Sequence, residues 1–203
     1  MAEVGYRITA LGLLNPGPRE TVLAMMHLTY RGSGLVLSGD VTSAFSRALS
    51  LYINCVESGG FVTEVHLTGK PMGRRSSGGA SSRIVDYMDR GKGDLRDIIV
   101  KMSGTEFQKE VWNEIRQIPP GQTLTYGEVA KRVGRPGAAR AVGTAMKSNH
   151  LVLLVPCHRV VSATGLGGYS AHGGLRTKRR ILELESMHSL ARLTQSPDRA
   201  EKS

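Results

Sequence analysis

The chain has 203 residues, of which 40% are hydrophobic, so it is long enough to bury a core in one mid-sized domain or two small ones. No uninterrupted apolar run exceeds five residues, against the roughly 20 that a membrane-spanning helix needs, and Glu3 and Arg7 break a secretory signal pattern. The formal charge of +10 favours a polyanionic partner, most often nucleic acid, although a merely solvated basic surface would carry the same charge.

Two cysteines, Cys55 and Cys157, occur in the chain, so no disulfide framework is expected, and free thiols indicate a reducing compartment. In the first half Cys55 is the only cysteine, and His27 and His66 lack the paired spacing of zinc ligands. The sequence therefore predicts no metal site.

The first 100 residues predict a loosely patterned region of helices and strands. Alternation of apolar and polar residues predicts a strand over residues 61–67, and apolar periodicity predicts a helix around residues 44–56. Residues 69–82 are rich in Gly and Ser and lack the Gly-Lys-Ser/Thr ending of a phosphate-binding loop, so they favour a flexible surface loop.

The local signals are sharper from residue 104 onward. Thr105 and Gln108 form a capping-box pattern, which predicts a helix start. Apolar residues then recur at three- and four-residue spacing up to Pro119-Pro120-Gly121, which is typical of an amphipathic helix that ends there. Trp112 on this helix is predicted to be a core or interface side chain, with ligand stacking as the alternative.

A second capping box, Thr125-Tyr126-Gly127-Glu128, predicts a short helix that ends before Gly134, which can adopt the left-handed conformation. Pro136 suits the first turn of a following helix, whose body is Ala138–Ser148. Two short helices joined by a tight turn are a helix-turn-helix candidate.

The second of these helices has two different faces. One face is apolar and consists of Ala138, Ala141, Val142, Ala145 and Met146. The opposite face carries Arg140, Thr144 and Lys147, flanked by Gly137 and Gly143. A basic face with small neighbours can approach DNA closely, whereas an ordinary amphipathic surface helix gives the same pattern.

The residues that follow the apolar run 151–155 carry the clearest chemical signal. Cys157 stands beside His158 and Arg159, which predicts a thiol nucleophile at the end of a buried strand, with a base and a cation nearby. An unperturbed thiol, with a pKa of about 8.5, is mostly protonated at neutral pH, so such a nucleophile needs a base.

Residues 104–185 resemble the catalytic domain of the O6-alkylguanine-DNA alkyltransferases nearly from end to end. The resemblance rests on an ordered series of motifs: Gly104-Thr105-Glu106-Phe107-Gln108, Val111-Trp112, Ile118-Pro119, Thr125-Tyr126-Gly127, Ala138-Ala139-Arg140-Ala141-Val142-Gly143, Asn149, Pro156-Cys157-His158-Arg159-Val160-Val161 and Tyr169-Ser170. The first half resembles the family only weakly, chiefly over residues 84–91.

The resemblance implies an α/β domain followed by a mainly α domain. Residues 1–100 would form an RNase-H-like supporting domain, and residues 101–188 a catalytic domain of winged or helix-turn-helix type. The polar residues 189–203 are predicted to be a disordered tail, with a minor partner contact as the alternative. The resemblance further implies a monomer without a diffusible cofactor, not secreted, which would be cytoplasmic in a prokaryote or nuclear in a eukaryote.

For the reaction, the resemblance implies that Cys157 takes the alkyl group from O6-alkylguanine as a stable thioether, so each molecule acts once. His158 would act as the base through a bridging water, oriented by Glu185, with Glu183 as the competing choice. Adjacent residues of an extended segment point to opposite sides, which also disfavours a direct contact between Cys157 and His158.

For recognition, the resemblance implies that the second short helix enters the minor groove of double-stranded DNA, where Arg140 fills the gap left by the flipped base. The remaining residues assigned to the guanine pocket or its support are Tyr126, Met146, Asn149, Val160, Tyr169 and Ser170. The segment Tyr169–Gly174 is about two residues longer than is usual in the family, which could alter the alkyl sizes that fit.

Two alternatives belong to other functional classes. A lesion-binding protein without chemistry, similar to the alkyltransferase-like proteins, would carry another residue in place of Cys157. A thiol hydrolase built on Cys157 and His158 would need a directly facing base and an oxyanion hole, for which the sequence gives no separate signal.

Overall fold

The computed structural model describes residues 28–29, 36–37, 39–76 and 78–194. The described part of the first half is built on a four-stranded sheet with the strand order β5-β4-β3-β6, in which β6 runs parallel to β3 and the other pairs are antiparallel. The strands are β1 (Leu28–Thr29), β2 (Val36–Leu37), β3 (Asp40–Ser46), β4 (Leu51–Ser58), β5 (Phe61–Thr68) and β6 (Arg74–Arg75), and β1 pairs with β2 in a separate ribbon.

The helix predicted around residues 44–56 is wrong, because these residues form the β3–β4 hairpin. Strand β4 lies in the middle of the sheet, and Ile53, Asn54, Cys55 and Val56 are all fully buried, so both of its faces are covered. A strand that is buried on both faces gives a continuous apolar run, and periodicity alone does not separate such a run from a helix. The strand predicted over residues 61–67 is confirmed as β5.

The surface loop predicted over residues 69–82 is only partly correct. Arg74–Arg75 pair with β3, and helix α1 (Gly79–Arg90) begins inside the predicted loop. Glycine permits this pairing, since a Cβ at Gly73 would overlap the carbonyl oxygen of Val41. Helix α1 packs on β3 and β4 through its buried face, which includes Ile84 and Met88.

The described part of the second half holds four α-helices and two short strands. They are α2 (Glu106–Arg116), β7 (Leu124–Thr125), α3 (Tyr126–Arg132), α4 (Ala139–Lys147), β8 (Val160–Val161) and α5 (Gly174–Thr194), with β7 parallel to β8. Helices α2, α3 and α4 pack against one another. Their buried residues join those of the sheet and α1 in one continuous core.

The local helix signals of this half are largely confirmed. Both capping boxes form, at Thr105 and at Thr125, and Gly134 adopts a φ of 70° after α3. Trp112 is a core residue, 1% exposed, and its Nε1 atom donates to the carbonyl oxygen of Ala145 over 2.9 Å. The place given to Pro136 is wrong, because α4 begins only at Ala139.

The tail boundary at residue 189 is also wrong, since α5 continues to Thr194. Ser189 Oγ donates to the carbonyl oxygen of Pro120 over 3.1 Å, so the last turns of α5 pack on the loop that follows α2. Residues 195–203 lie outside the described residues, as does His27. Across the described helices, none combines the length and apolarity that crossing a membrane requires.

Candidate active site

Cys157 begins a single 3-10 turn, Cys157–Arg159, between Pro156 and β8. The predicted strand before it is wrong: Val155 N donates back to Leu151 O over 2.7 Å, and Leu153 has a φ of 73°, so the segment folds into a compact loop. Pro156 has no N–H to donate to a ladder, which prevents a strand from continuing to the cysteine. Cys157 and His158 therefore lie in a 3-10 turn, and the alternation of side chains along an extended segment does not apply to them.

Asn149 holds this loop together from the end of α4. Its Nδ2 atom donates to Val155 O and its Oδ1 atom accepts from Leu151 N, both over 2.9 Å. These two bonds confirm the predicted role of Asn149 in fixing the connection by side-chain to backbone bonds. The same side chain also lowers the pKa of the Cys157 thiol by hydrogen bonding, so one residue supports both the loop and the thiol.

The thiol of Cys157 is buried, and burial raises its pKa. The hydrogen bond from Asn149 and the positive charge of Lys178 oppose that rise without cancelling it. The cysteine is therefore a protonated thiol at neutral pH in the free protein, and nucleophilic attack requires that its proton be taken up.

His158 lies against Glu185, with 3.0 Å between Nε2 and Oε1, and both side chains are buried. Glu183 lies on the exposed side of α5, 3.8 Å from Arg180, so Glu185 is the acidic residue that contacts the histidine. The other ring nitrogen, Nδ1 of His158, is buried and has no hydrogen-bond partner among the described residues.

Arg159 neutralises the same carboxylate. Its Nη2 and Nε atoms contact the two oxygens of Glu185 over 2.6 and 3.0 Å. Burial alone would raise the pKa of Glu185, but the contacts with His158 and Arg159 outweigh burial and hold that pKa well below its ordinary value. Burial lowers the pKa of His158, and the Glu185 charge offsets this only in part, so the imidazole is neutral at physiological pH.

A cavity of about 550 Å³ opens beside Cys157, within the size range of small-molecule sites. Six of the predicted site residues line it: Tyr126, Arg140, Met146, Cys157, Tyr169 and Ser170. The hydroxyl of Tyr169 is buried and has no hydrogen-bond partner within the described part of the chain, so its bonding capacity is unused in this structure.

Helix α4 supplies the basic wall of this cavity, with Arg140, Thr144 and Lys147 on the exposed side of the helix. Val142, Ala145 and Met146 are buried as their pattern predicts. The placement of Ala141 on the apolar face is wrong, since this residue is exposed.

Lys178 is a site residue that the sequence analysis missed. Its Nζ atom donates to Val160 O over 2.6 Å and to Gly168 O over 3.1 Å, so it ties β8 to the loop that carries Tyr169. Helical spacing could have indicated its burial, because residues 178, 181 and 185 share one face of a helix. Ile181 and Glu185 on that face are both buried.

The longer segment after Tyr169 divides between two places. Ser170 lines the cavity beside Cys157, whereas His172 and Gly173 line a separate groove with Arg176, Arg180 and the β3–β4 turn. The extra residues are therefore not part of the wall around the thiol.

Residues 106–187 match the family described as "6-O-methylguanine DNA methyltransferase, DNA binding domain". A methylated-DNA–protein-cysteine methyltransferase of Mycolicibacterium paratuberculosis is 45% identical over 130 residues, which are 63% of this chain and 76% of that protein. A protein of the same name from Methanosarcina acetivorans is 51% identical over 96 residues, which are 46% of this chain and 60% of that one.

Solved structures extend the similarity to the fold. A crystal structure of Mycobacterium tuberculosis OGT in complex with DNA superimposes with a TM-score of 0.63 at 35% identity and covers 73% of this chain and 94% of that one. A crystal structure of Mycobacterium tuberculosis O6-methylguanine methyltransferase gives the same TM-score at 32% identity, over 76% and 97% of the two chains. The mixed α/β architecture is thus shared along most of the described chain.

Proposed function

The chain belongs to the methylated-DNA–protein-cysteine methyltransferases, and we propose that Cys157 is the residue that receives the alkyl group. The activity is direct reversal of DNA damage by transfer of an alkyl group from the DNA to a cysteine of the protein. The observation that carries the assignment to Cys157 is its position at a cavity walled by the basic face of α4 and backed by the His158–Glu185 pair. Cys55, in contrast, is buried in the sheet, and burial raises its pKa.

The chemistry follows from the protonated thiol of Cys157 and the neutral imidazole of His158. The sulfur of Cys157 attacks the alkyl carbon of O6-alkylguanine, an S–C bond forms, the C–O6 bond breaks, and guanine keeps the electron pair and takes up a proton. Neutral His158 accepts the thiol proton at Nδ1 through a bridging water. Glu185 binds the opposite ring nitrogen, Nε2, and Arg159 binds Glu185 in turn. A thioether has no leaving group that would restore the thiol, so each molecule reacts once.

The target oxygen lies inside a base pair, so the lesion must leave the stack, which costs roughly a few kcal/mol. Helix α4 would enter the minor groove of double-stranded DNA, with Arg140 filling the vacated position. Tyr126 would assist the rotation of the base and donate its hydroxyl to the flipped guanine, and Met146 would wall the pocket. Ser170 and the main chain at Val160 would read its edges, although the Val160 oxygen already accepts a bond from Lys178.

The domain organisation is part of the same proposal. Residues 1–100 would form an RNase-H-like support and residues 101–188 the catalytic domain, in which α3, the connecting turn and α4 act as a helix-turn-helix. The protein would act as a monomer, in the cytoplasm of a prokaryote or the nucleus of a eukaryote, since free Cys157 requires reducing conditions and the substrate is genomic DNA.

A labelled substrate tests the proposal directly. Incubation with a duplex that carries radiolabelled O6-methylguanine should move label to the protein, at no more than one equivalent per chain. Cys157→Ala should abolish the transfer, and Cys55→Ala should retain it. Label that stays on the DNA with the unmodified protein would instead support a lesion-binding protein without chemistry, and repeated turnover of an ester would support a thiol hydrolase.

A further inference from the structure

Tyr87 lies in the buried polar cluster around Glu185, although it comes from α1 in the first half of the chain. Its hydroxyl donates to Glu185 Oε1 over 3.1 Å, and Nη2 of Arg159 donates to the Tyr87 oxygen over 3.1 Å. The tyrosine is 3% exposed. Helix α1 therefore supplies a polar group to the site in addition to its apolar packing on the sheet.

The direction of these two bonds follows from the groups that form them. The guanidinium of Arg159 has only N–H donors, so the Tyr87 oxygen must be the acceptor of that bond. The Glu185 carboxylate is ionised and can only accept, so the hydroxyl proton of Tyr87 points at Oε1. Bonds of this kind, with an ionised partner in a buried site, are stronger than neutral ones.

We propose that Tyr87 is a positioning residue for alkyl transfer, which holds Glu185 Oε1 in the orientation that His158 requires. This inference rests on the proposed function of Cys157. Oxygen Oε1 receives three donors, from His158, Arg159 and Tyr87, and only the last comes from the first half of the chain. The first half would thus contribute to the reaction and not only to the stability of the second half.

Loss of the Tyr87 hydroxyl has a defined electrostatic consequence. Among the described residues, the charged or titratable groups that act on His158 or on its partner Glu185 are Lys178 from α5, Arg159 and Cys157 from the same turn as His158, Tyr87 from α1 and Tyr169 from the cavity wall. Without the hydroxyl bond, Glu185 attracts the proton of the imidazole more strongly, so the imidazolium is favoured. The neutral base then becomes available only at higher pH.

The test compares Tyr87→Phe with Tyr52→Phe, which removes the same atom from a tyrosine that packs against Phe45 on the sheet. Single-turnover transfer from a duplex with O6-methylguanine is measured against pH, and DNA affinity is measured in the Cys157→Ala background. Tyr87→Phe should slow transfer roughly tenfold, the rate equivalent of one hydrogen bond to a charged group, with unchanged DNA affinity. The acidic limb of its plot of transfer rate against pH should move to higher pH. Tyr52→Phe should give the same rates as the unmodified protein at every pH.

A second variant covers the case in which Tyr87→Phe does not fold. Replacement of Tyr87 by 3-fluorotyrosine keeps the ring and the hydroxyl but makes a stronger donor, so the acidic limb should move to lower pH. If the acidic limb of the pH–rate profile stays in place in either folded variant, the proposal is overturned. It is also overturned if the loss of rate is matched by an equal loss of DNA affinity. If the unmodified protein transfers no alkyl group, the proposed function fails instead.

Discussion

The Nζ atom of Lys178 lies 2.6 Å from the carbonyl oxygen of Val160, directly beyond the turn that carries Cys157. The same ammonium group also donates to Gly168 O, in the loop that lines the cavity beside Cys157. A buried cation thus links β8 to the loop that carries Tyr169, and its charge favours the thiolate of Cys157.

Replacement of Lys178 by methionine should therefore have two effects. The carbonyls of Val160 and Gly168 lose a donor, which should lower the free energy of unfolding by about 2 kcal/mol. The pKa of Cys157 should rise further, because the nearby positive charge is gone. Urea unfolding measures the first effect, and the pH dependence of Cys157 alkylation by iodoacetamide, followed by peptide mass, measures the second.

Arg179→Met is the matched control, since the neighbouring side chain is exposed. This variant should leave both quantities near those of the unmodified protein. An alkylation profile that is identical in Lys178→Met and Arg179→Met would contradict the role given to the buried cation.

Removal of the Asn149 amide should loosen the loop that presents the nucleophile. Asn149→Ala leaves Leu151 N without its partner and removes one of the two donors to Val155 O, which keeps its bond from Cys157 N, so the free energy of unfolding should fall by about 2 kcal/mol. Alkyl transfer should slow as well, because the thiol loses its hydrogen bond. Denaturant unfolding and single-turnover transfer are measured beside Ser148→Ala, which removes only a bond to Thr144 O; equal losses in the two variants would reject this account.

The features that the sequence predicts well are those fixed by neighbouring residues. The capping boxes at Thr105 and Thr125 each depend on a side chain three residues away, so a short pattern is sufficient to predict them. The mistaken helix over residues 44–56 depends on what covers β4 from both sides, which no local pattern contains.

The candidate site likewise contains residues that the sequence can predict and residues that meet only in the tertiary fold. Cys157 and His158 stand in a motif that resembles a known family, and Asn149 acts within six residues of its own position. Tyr87 and Glu185 are 98 positions apart and meet only because α1 packs against α5. A contact of that kind depends on the tertiary fold, so motif and periodicity could not have predicted it.

Stability should fall as the pH is lowered through the range in which the buried His158–Glu185 pair takes up protons. Burial lowers the pKa of His158 below its ordinary value of 6.5, so the unfolded chain binds a proton there before the folded protein does. Glu185, whose pKa is also lowered, adds a further loss below its ordinary value of 4.5. The stabilisation is therefore complete above about pH 7 and declines below it.

Urea unfolding of the unmodified protein between about pH 8 and 5 measures this decline. His158→Gln should make the decline smaller, because the side chain that takes up the first proton is gone. If the free energy of unfolding fell equally with pH in both proteins, the histidine would not be held neutral in the fold.

The last prediction concerns Arg140, which lies exposed on α4 at the cavity beside Cys157. If this side chain fills the gap left by the flipped base, Arg140→Ala should slow transfer from duplex DNA by at least about tenfold, since extrusion from the stack costs a few kcal/mol. Transfer from a single-stranded oligonucleotide, which has no paired stack to open, should change much less. Arg83→Ala on α1 removes the same charge from the first half and serves as control. If Arg140→Ala slowed transfer from duplex and from single-stranded DNA equally, Arg140 would act only as an electrostatic contact with phosphates. A charge that only attracts the DNA backbone does not distinguish paired from unpaired DNA by a factor of about ten.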